Sequence, residues 1–336
     1  MVAGRGLNRI VHRAIEEVYA TMRIASKTSI KGALITFFAK IDIQKMNRNG
    51  FQEPPEVRKR LLAKHEVMMD YFEKEFQSFS QIYDYDRVLP EAAKDLRNRI
   101  WMCWWQGMEN APELVKVCVK SVQKNAGPYT VTIITEQNYK HYVDIPDWLE
   151  KKYQMGIISR THYSDYLRFS LLAAYGGLWL DASMFCTAPV LENYMCMPVW
   201  SIKRPDYLHC SIASGYFATY SLGCTYENRW IFATIRDCLE YYWQGNDMLI
   251  DYLMLDYLII YAQRRNHRIA KAFSSISPNN PCCDDLIKVL GQPYDETQWQ
   301  AMKNKTSLFK LSWKQSYSMM DEGRNTFFAK LIKDAL

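Results

Sequence analysis

The sequence has no Cys-x-x-Cys pair, no Gly-x-Gly-x-x-Gly or Walker-type phosphate loop, and no His or Cys grouping with zinc-ligand spacing. These absences exclude a zinc ribbon, a P-loop nucleotidase and a fingerprint dinucleotide-binding turn. The nine cysteines are odd in number and scattered, with only Cys282 and Cys283 adjacent. Such usage reads as buried free thiols in a reducing compartment rather than a disulfide framework. Long apolar runs are lacking too. The longest near the N-terminus is "ALITFFA", residues 33–39, far short of the roughly 20 residues a membrane span needs. The expected location is therefore cytoplasmic. There is no internal repeat and no low-complexity tract.

Charge of one sign is scarce except at one end. Residues 1–50 hold nine Lys/Arg against three Asp/Glu, a difference of +6 that equals the whole chain's excess. The remainder is balanced, which excludes a globally basic nucleic-acid binder. Within the basic end, residues 5–26 repeat Leu7, Ile10, Val11, Ala14, Ile15, Val18, Met22 and Ala25 at helical spacing. The pattern predicts an amphipathic helix with Arg5, Arg9 and Arg13 largely off the apolar face. It suits either packing on the domain with a solvated face or peripheral contact with an anionic membrane.

What is plentiful is aromatic and apolar side chain, 14% and 49% of the chain, enough for a substantial core. Pro54-Pro55 breaks the chain before a further helix over 56–80. Residues 1–95 are expected to form a helical section and 96–336 the main domain. From there the pattern alternates. "NRIWMCWW" (98–105) reads as a strand and "APELVKVCVKSVQKN" as a helix with Pro112 in its first turn. "YTVTIIT" (129–135) is a β-branched strand and "PDWLEKKYQMG" a helix. "SDYLRFSLLAAYGG" is a second helix and "LWLDASMF" a third strand. The order β-α-β-α-α-β predicts an α/β fold with a mainly parallel sheet flanked by helices, whose ligands bind at the carboxyl ends of the strands.

Asp181 is the residue that does not fit a core. The run Leu178-Trp179-Leu180 before it reads as a buried strand, and an unpaired carboxylate in a dry interior is costly. Asp181 therefore faces a cleft at the strand end, holds a cation, or is satisfied by backbone donors. Ser164 is the expected cap of the preceding helix, with Asp165 near its positive end. Asp165 and Arg168, three apart, share a face and form either a local ion pair or a pair that reads hydroxyls or phosphates. Gly176-Gly177 ends that helix, one glycine taking a positive φ. Residues 248–262 are apolar nearly all round and read as one buried helix, with Asp251 in its first turn. Asp256 lies among apolar neighbours there, so it is either a core Asp paired to an Arg or His, or a carboxylate facing a cavity.

The string "SDYLRFSLLAAYGGLWLDASMF" resembles the core of sugar-nucleotide-dependent glycosyltransferases related to family 32, most closely the capsular polysaccharide synthesis branch. The likeness extends over about 98–315. It implies a GT-A-type fold and transfer of a sugar, as by a hexosyltransferase, from a nucleotide-sugar donor, a UDP-sugar, to a saccharide or lipid-linked acceptor in capsule or surface polysaccharide synthesis. It implies a divalent metal, Mn²⁺ or Mg²⁺, on the donor diphosphate, held by Asp181. Asp165 and Arg168 would contact donor sugar or ribose, Trp105 would stack the base (Trp104 if the strand phase shifts), and Thr135 would bond the nucleotide. The family's Asp-x-Asp is here Asp181-Ala182-Ser183, so Ser183 would serve as a hydroxyl ligand. "KLSWKQS" (310–316) resembles the C-terminal loop that folds over the diphosphate, with Ser312 toward the metal and Lys314 toward phosphate; a surface lysine beside a core Trp is the alternative. The missing second acid keeps open a non-catalytic sugar-nucleotide or glycan binder. A metal-dependent phosphoester hydrolase is the other rival.

Overall fold

The computed structural model describes residues 2–205 and 207–335, with side chains described for 15–205 and 207–334. Four helices come first: α1 (Val2–Lys27), α2 (Ile30–Arg48), α3 (Pro55–Glu75) and α4 (Gln77–Ile82). The expected alternation follows as β1 (Ile100–Cys103), α5 (Glu113–Lys124), β2 (Val131–Ile134), α6 (Asp147–Gln154), α7 (Arg160–Tyr175) and β3 (Gly177–Leu180). The chain continues through β4 (Met184–Cys186), α8 (Leu191–Met195), β5 (Val199–Ser201), β6 (Ser221–Cys224), α9 (Trp230–Gly245), α10 (Met254–Arg265) and α11 (His267–Ser274). It ends with α12 (Leu286–Val289), α13 (Glu296–Lys303), β7 (Leu308–Lys310), β8 (Met320–Asp321), β9 (Arg324–Asn325) and α14 (Phe327–Ala335).

The main sheet has the order β2-β1-β3-β6-β5. β1 runs parallel to β2 and β3, while β6 is antiparallel to both β3 and β5. Four of its strands therefore point one way and β6 the other, a mixed α/β architecture with a mostly parallel sheet. Helices cover it, and the carboxyl ends of β1, β2 and β3 lie at one edge of the sheet. Trp101 and Trp179, paired across β1 and β3, are fully buried. The core they join continues through α7, α9 and α10 into α1 and α3 of the N-terminal section.

Three local readings are corrected. The cap of α7 is Ser159, whose side chain accepts from the His162 N–H. The helix starts earlier than Ser164 because His162 and Tyr163 are already buried on it, so Asp165 points inward from the second turn. "LWLDASMF" is not one strand. The Asp181 N–H donates to the Tyr220 carbonyl, and the Met184 N–H turns back to the Asp181 carbonyl at 2.8 Å. The chain then leaves the main sheet, and β4 pairs with β7. Finally, α10 begins at Met254, which puts Asp251 in the preceding turn. The glycine reading holds: Gly176 and Gly177 both have positive φ, and a Cβ on Gly177 would lie 2.1 Å from the Arg99 carbonyl oxygen.

Asp251 has a structural partner. Lys64 of α3 reaches it at 2.8 Å with side chains only 1% and 4% exposed. Burial pushes the Asp251 carboxyl up, but Lys64 and Lys40 outweigh it and hold it below its ordinary value. Lys64→Met leaves a buried carboxylate without its cation, and a loss of about 3–5 kcal/mol is expected in urea unfolding. Adding Asp251→Leu should recover most of it.

Candidate active site

Asp181 follows directly on the last residue of β3, where the ends of β1 and β2 also lie. Its Oδ1 accepts from Trp179 Nε1 at 3.0 Å and from Arg168 Nη2 at 3.2 Å. Its Oδ2 accepts from Lys310 Nζ at 2.7 Å. The same ammonium donates to Ser183 Oγ at 2.9 Å and sits 5.0 Å from the Tyr220 ring centroid. Arg168 lies over the Trp179 ring and also pairs with Asp165 at 3.3 Å. A chain of alternating charge results: Asp165, Arg168, Asp181, Lys310.

Each side chain is placed by its element. α7 delivers Asp165 and Arg168 from one face, as three-residue spacing requires. The turn after β3 holds Asp181 and Ser183 on the same side. Lys310 comes from the last residue of β7, which the β4–β7 register sets opposite Met184. The Asp181 side chain retains 29% exposure. Burial pushes its carboxyl up, but Lys310 and Arg168 outweigh burial and hold it below the usual range, so it is ionised at neutral pH. Asp165 is shifted the other way, raised by burial despite Arg168. Cys103, at the end of β1, is pushed up to about 12 by burial and by the Asp181 charge, which keeps it a thiol.

Asp256 joins this group electrostatically. Its carboxyl is pushed up to about 6, first by burial and then by Asp165, against the pull of Ser211 and Arg168. Ser211 Oγ donates to it at 2.5 Å. No Arg or His side chain pairs with it among the described residues. Behind it stand the N-terminal helices. His65 Nε2 donates to the His209 carbonyl at 2.9 Å, so Nδ1 accepts the Tyr257 hydroxyl at 2.7 Å. His209 in turn is held by Glu53 at 2.8 Å.

The other candidates stand apart from this chain of charge. Trp105 is buried in an aromatic cluster with Tyr139, Tyr153 and Tyr163. Trp104 packs edge-to-face on Trp313, with centroids 5.3 Å apart. Thr135 forms a turn at the end of β2, its N–H donating to Asn138 Oδ1. Ser312 and Lys314 lie on the loop leaving β7; the Ser312 hydroxyl accepts from the Lys314 N–H, and the Lys314 side chain is exposed. The residue that sequence reasoning missed is Lys310, the first residue of the string 310–316. No local signal marked it, because what aims it at Asp181 is the β4–β7 pairing.

A family model described as capsular polysaccharide synthesis protein matches residues 48–331. The chain belongs to that family. It is also similar to the O-glycosyltransferase braB of Annulohypoxylon truncatum, 30% identical over 95 residues, which is 26% of this chain and 23% of that protein. The O-glycosyltransferase PaGT of Phomopsis amygdali is 29% identical over 117 residues, 32% of this chain and 27% of that one. The chain thus spans about a quarter of the length of these curated relatives. No solved structure gives a significant match.

The capsular family resemblance implied a divalent ion at Asp181, and the donor set can be tested for it. Asp181 and Ser183 supply one carboxylate and one hydroxyl, and a lysine ammonium bridges both. Among the described residues no three His, Cys, Asp or Glu side chains converge as a cage. An ion bound between Asp181 and Ser183 would have to displace Lys310. On their own these two residues make an incomplete cation site, and the cation beside them here is the Lys310 ammonium.

The raised Asp256 has a consequence for stability. A carboxyl whose folded value lies near 6 binds its proton more tightly folded than unfolded, so its contribution is full below about 4 and lost as pH rises through 6. Wild-type melting temperature should therefore fall relative to Asp256→Asn between about pH 4 and pH 7. Parallel pH profiles for the two proteins would show that Asp256 is not shifted.

Proposed function

We propose that this protein is a glycosyltransferase that moves a sugar from a nucleotide-sugar donor, a UDP-sugar, to a hydroxyl of a saccharide or glycolipid acceptor in capsule or surface polysaccharide synthesis, on a GT-A-type scaffold. The observation that carries the reading is the Asp181–Lys310–Arg168 cluster at the carboxyl ends of a mostly parallel sheet. Family membership and the names of the two relatives, both O-glycosyltransferases, support it.

The roles follow from the chemistry of the step. The bond between the anomeric carbon and the diphosphate oxygen breaks, and negative charge grows on the departing nucleoside diphosphate. Preorganised cations aimed at that charge stabilise the transition state. Lys310 is such a point charge, and Asp181 with Tyr220 holds it in place. Arg168, fixed by Asp165 and stacked on Trp179, stands beside it and orients donor hydroxyls together with Asp181. The acceptor oxygen bonds to the anomeric carbon and gives up its proton. Asp256, with its carboxyl near 6, lies in the range where a general base works at neutral pH. Trp105, Thr135, Ser312 and Lys314 remain candidates for lining the donor path.

The test is to incubate the purified protein with a panel of UDP-sugars and saccharide acceptors, following release of nucleoside diphosphate. Release that requires acceptor is expected. Acceptor-independent release would favour a hydrolase, and binding without turnover a lectin-like or sugar-nucleotide-binding role. Lys310→Met should lower turnover by about 10²-fold or more, with Asp181→Ala at least as damaging. Activity should persist in EDTA. Full dependence on Mn²⁺ or Mg²⁺ would show that an ion takes the position of the Lys310 ammonium.

A further inference from the structure

The helices α1 and α2 are joined by a two-residue turn, and Lys40 reaches back to Glu17 at 3.1 Å, so they form an antiparallel hairpin. Each is apolar on two faces. The inner faces, with Ala20 and Ile24 on α1 and Ala33, Thr36 and Ala39 on α2, are buried. The outer faces carry Ile15, Val18 and Met22 on α1 and Ile30, Leu34 and Phe38 on α2, at spacings that stack them in one stripe per helix. These six range from 49% exposed (Leu34) to 75% exposed (Ile30). The Glu17–Lys40 pairing sets Val18 level with Phe38, and Met22 level with Leu34. The stripes therefore run side by side as a continuous apolar surface, larger than scattered surface residues would give.

Charge says what covers it. Along α2 the stripe runs on at helical spacing into Lys45 and Arg48, and Lys31 borders it. All three are exposed and make no ion pair among the described residues. Residues 15–48 hold six Lys/Arg against three acids. An apolar face edged by unpaired cations is complementary to a bilayer whose headgroups are anionic, with the side chains entering the headgroup–acyl boundary and the lysines meeting phosphate. No helix among the described residues is long and apolar enough to cross a membrane, so the surface would lie on the bilayer. The hairpin is also fixed to the rest of the molecule: Lys40 donates to the Ile250 carbonyl at 3.2 Å, and Lys64 of the neighbouring α3 pairs with Asp251.

We infer that the outer face of the α1–α2 hairpin is a docking surface for an anionic lipid bilayer, holding the enzyme in the plane of the membrane. The inference does not depend on the transferase reading. The test is co-sedimentation of the full chain with vesicles of phosphatidylcholine alone and of phosphatidylcholine with phosphatidylglycerol, at low and high salt. Binding to the anionic vesicles, weakened by salt, is expected. Val18→Glu with Met22→Glu and Phe38→Glu should lower it at least tenfold, with the circular dichroism spectrum unchanged because all three side chains are exposed. Lys31→Glu with Lys45→Glu and Arg48→Glu should remove the preference for anionic vesicles. The inference is overturned if wild type ignores anionic vesicles or if the apolar triple variant binds as wild type does. A wild-type dimer in sedimentation velocity that the apolar variant loses, without vesicle binding, would assign the face to a second copy instead.

Discussion

The constraint on which this fold turns is that a charged carboxylate must stand at the end of a buried strand. β3 is apolar throughout and lies mid-sheet, so the first polar residue after it is only partly reached by water and needs donors from the protein. Asp181 is made tenable by three donors from three places in the chain: Trp179 two residues before, Arg168 from α7, and Lys310 from β7. Much else is arranged to bring those donors there. The paired glycines let α7 double back into β3 so that Arg168 faces its end. The turn at 181–184 sends β4 out of the main sheet, and that excursion is what lets β7 pair with it and deliver Lys310.

A second set of contacts ties the N-terminal helices to the same place. Lys64, His65 and Glu53 meet Asp251, Tyr257 and His209. His65 is buried and held down to about 4, chiefly by burial and then by Lys64. It therefore stands as a neutral imidazole that links the Tyr257 hydroxyl to the His209 carbonyl. These contacts border α10 and the 209–211 turn, the two pieces that place Asp256 against Ser211. The helical section is thus the back wall of the site, sharing one core with the sheet.

Local periodicity carried most of the fold in the sequence. The alternation β1-α5-β2-α6-α7-β3 follows from apolar runs, β-branched clusters and the glycine pair, all signals within a few residues. Asp181, Asp165 and Arg168 were legible for the same reason, because a polar residue out of place in an apolar pattern is visible locally. Lys310 was not. Its partner is 129 residues away, and nothing in "KLSWKQS" says which of its two lysines a strand register will aim at Asp181. The start of α10 and the split of "LWLDASMF" failed alike, since a turn fixed by hydrogen bonds, to Asp251 in one case and to the Tyr220 carbonyl in the other, leaves no periodic mark. α2 left only the run "ALITFFA", whose apolar residues serve two opposite faces and so blur the amphipathic pattern.

The replacement of a second acid by Ser183 becomes intelligible once Lys310 is in view. Two carboxylates at 181 and 183 would leave the lysine outnumbered and would draw in a further cation to balance them. With a serine there, Asp181 and Lys310 neutralise each other, and Arg168 is balanced by Asp165. The site is then electrically closed at rest, which keeps four charged groups affordable in a largely apolar surround. In the proposed reaction the donor diphosphate would bring the negative charge that Asp181 now provides, and would compete for an ammonium already in position. Serine at 183 accepts from that ammonium without adding charge, and on this view the residue that looked like a degenerate motif is the matched partner of a cation carried on another strand.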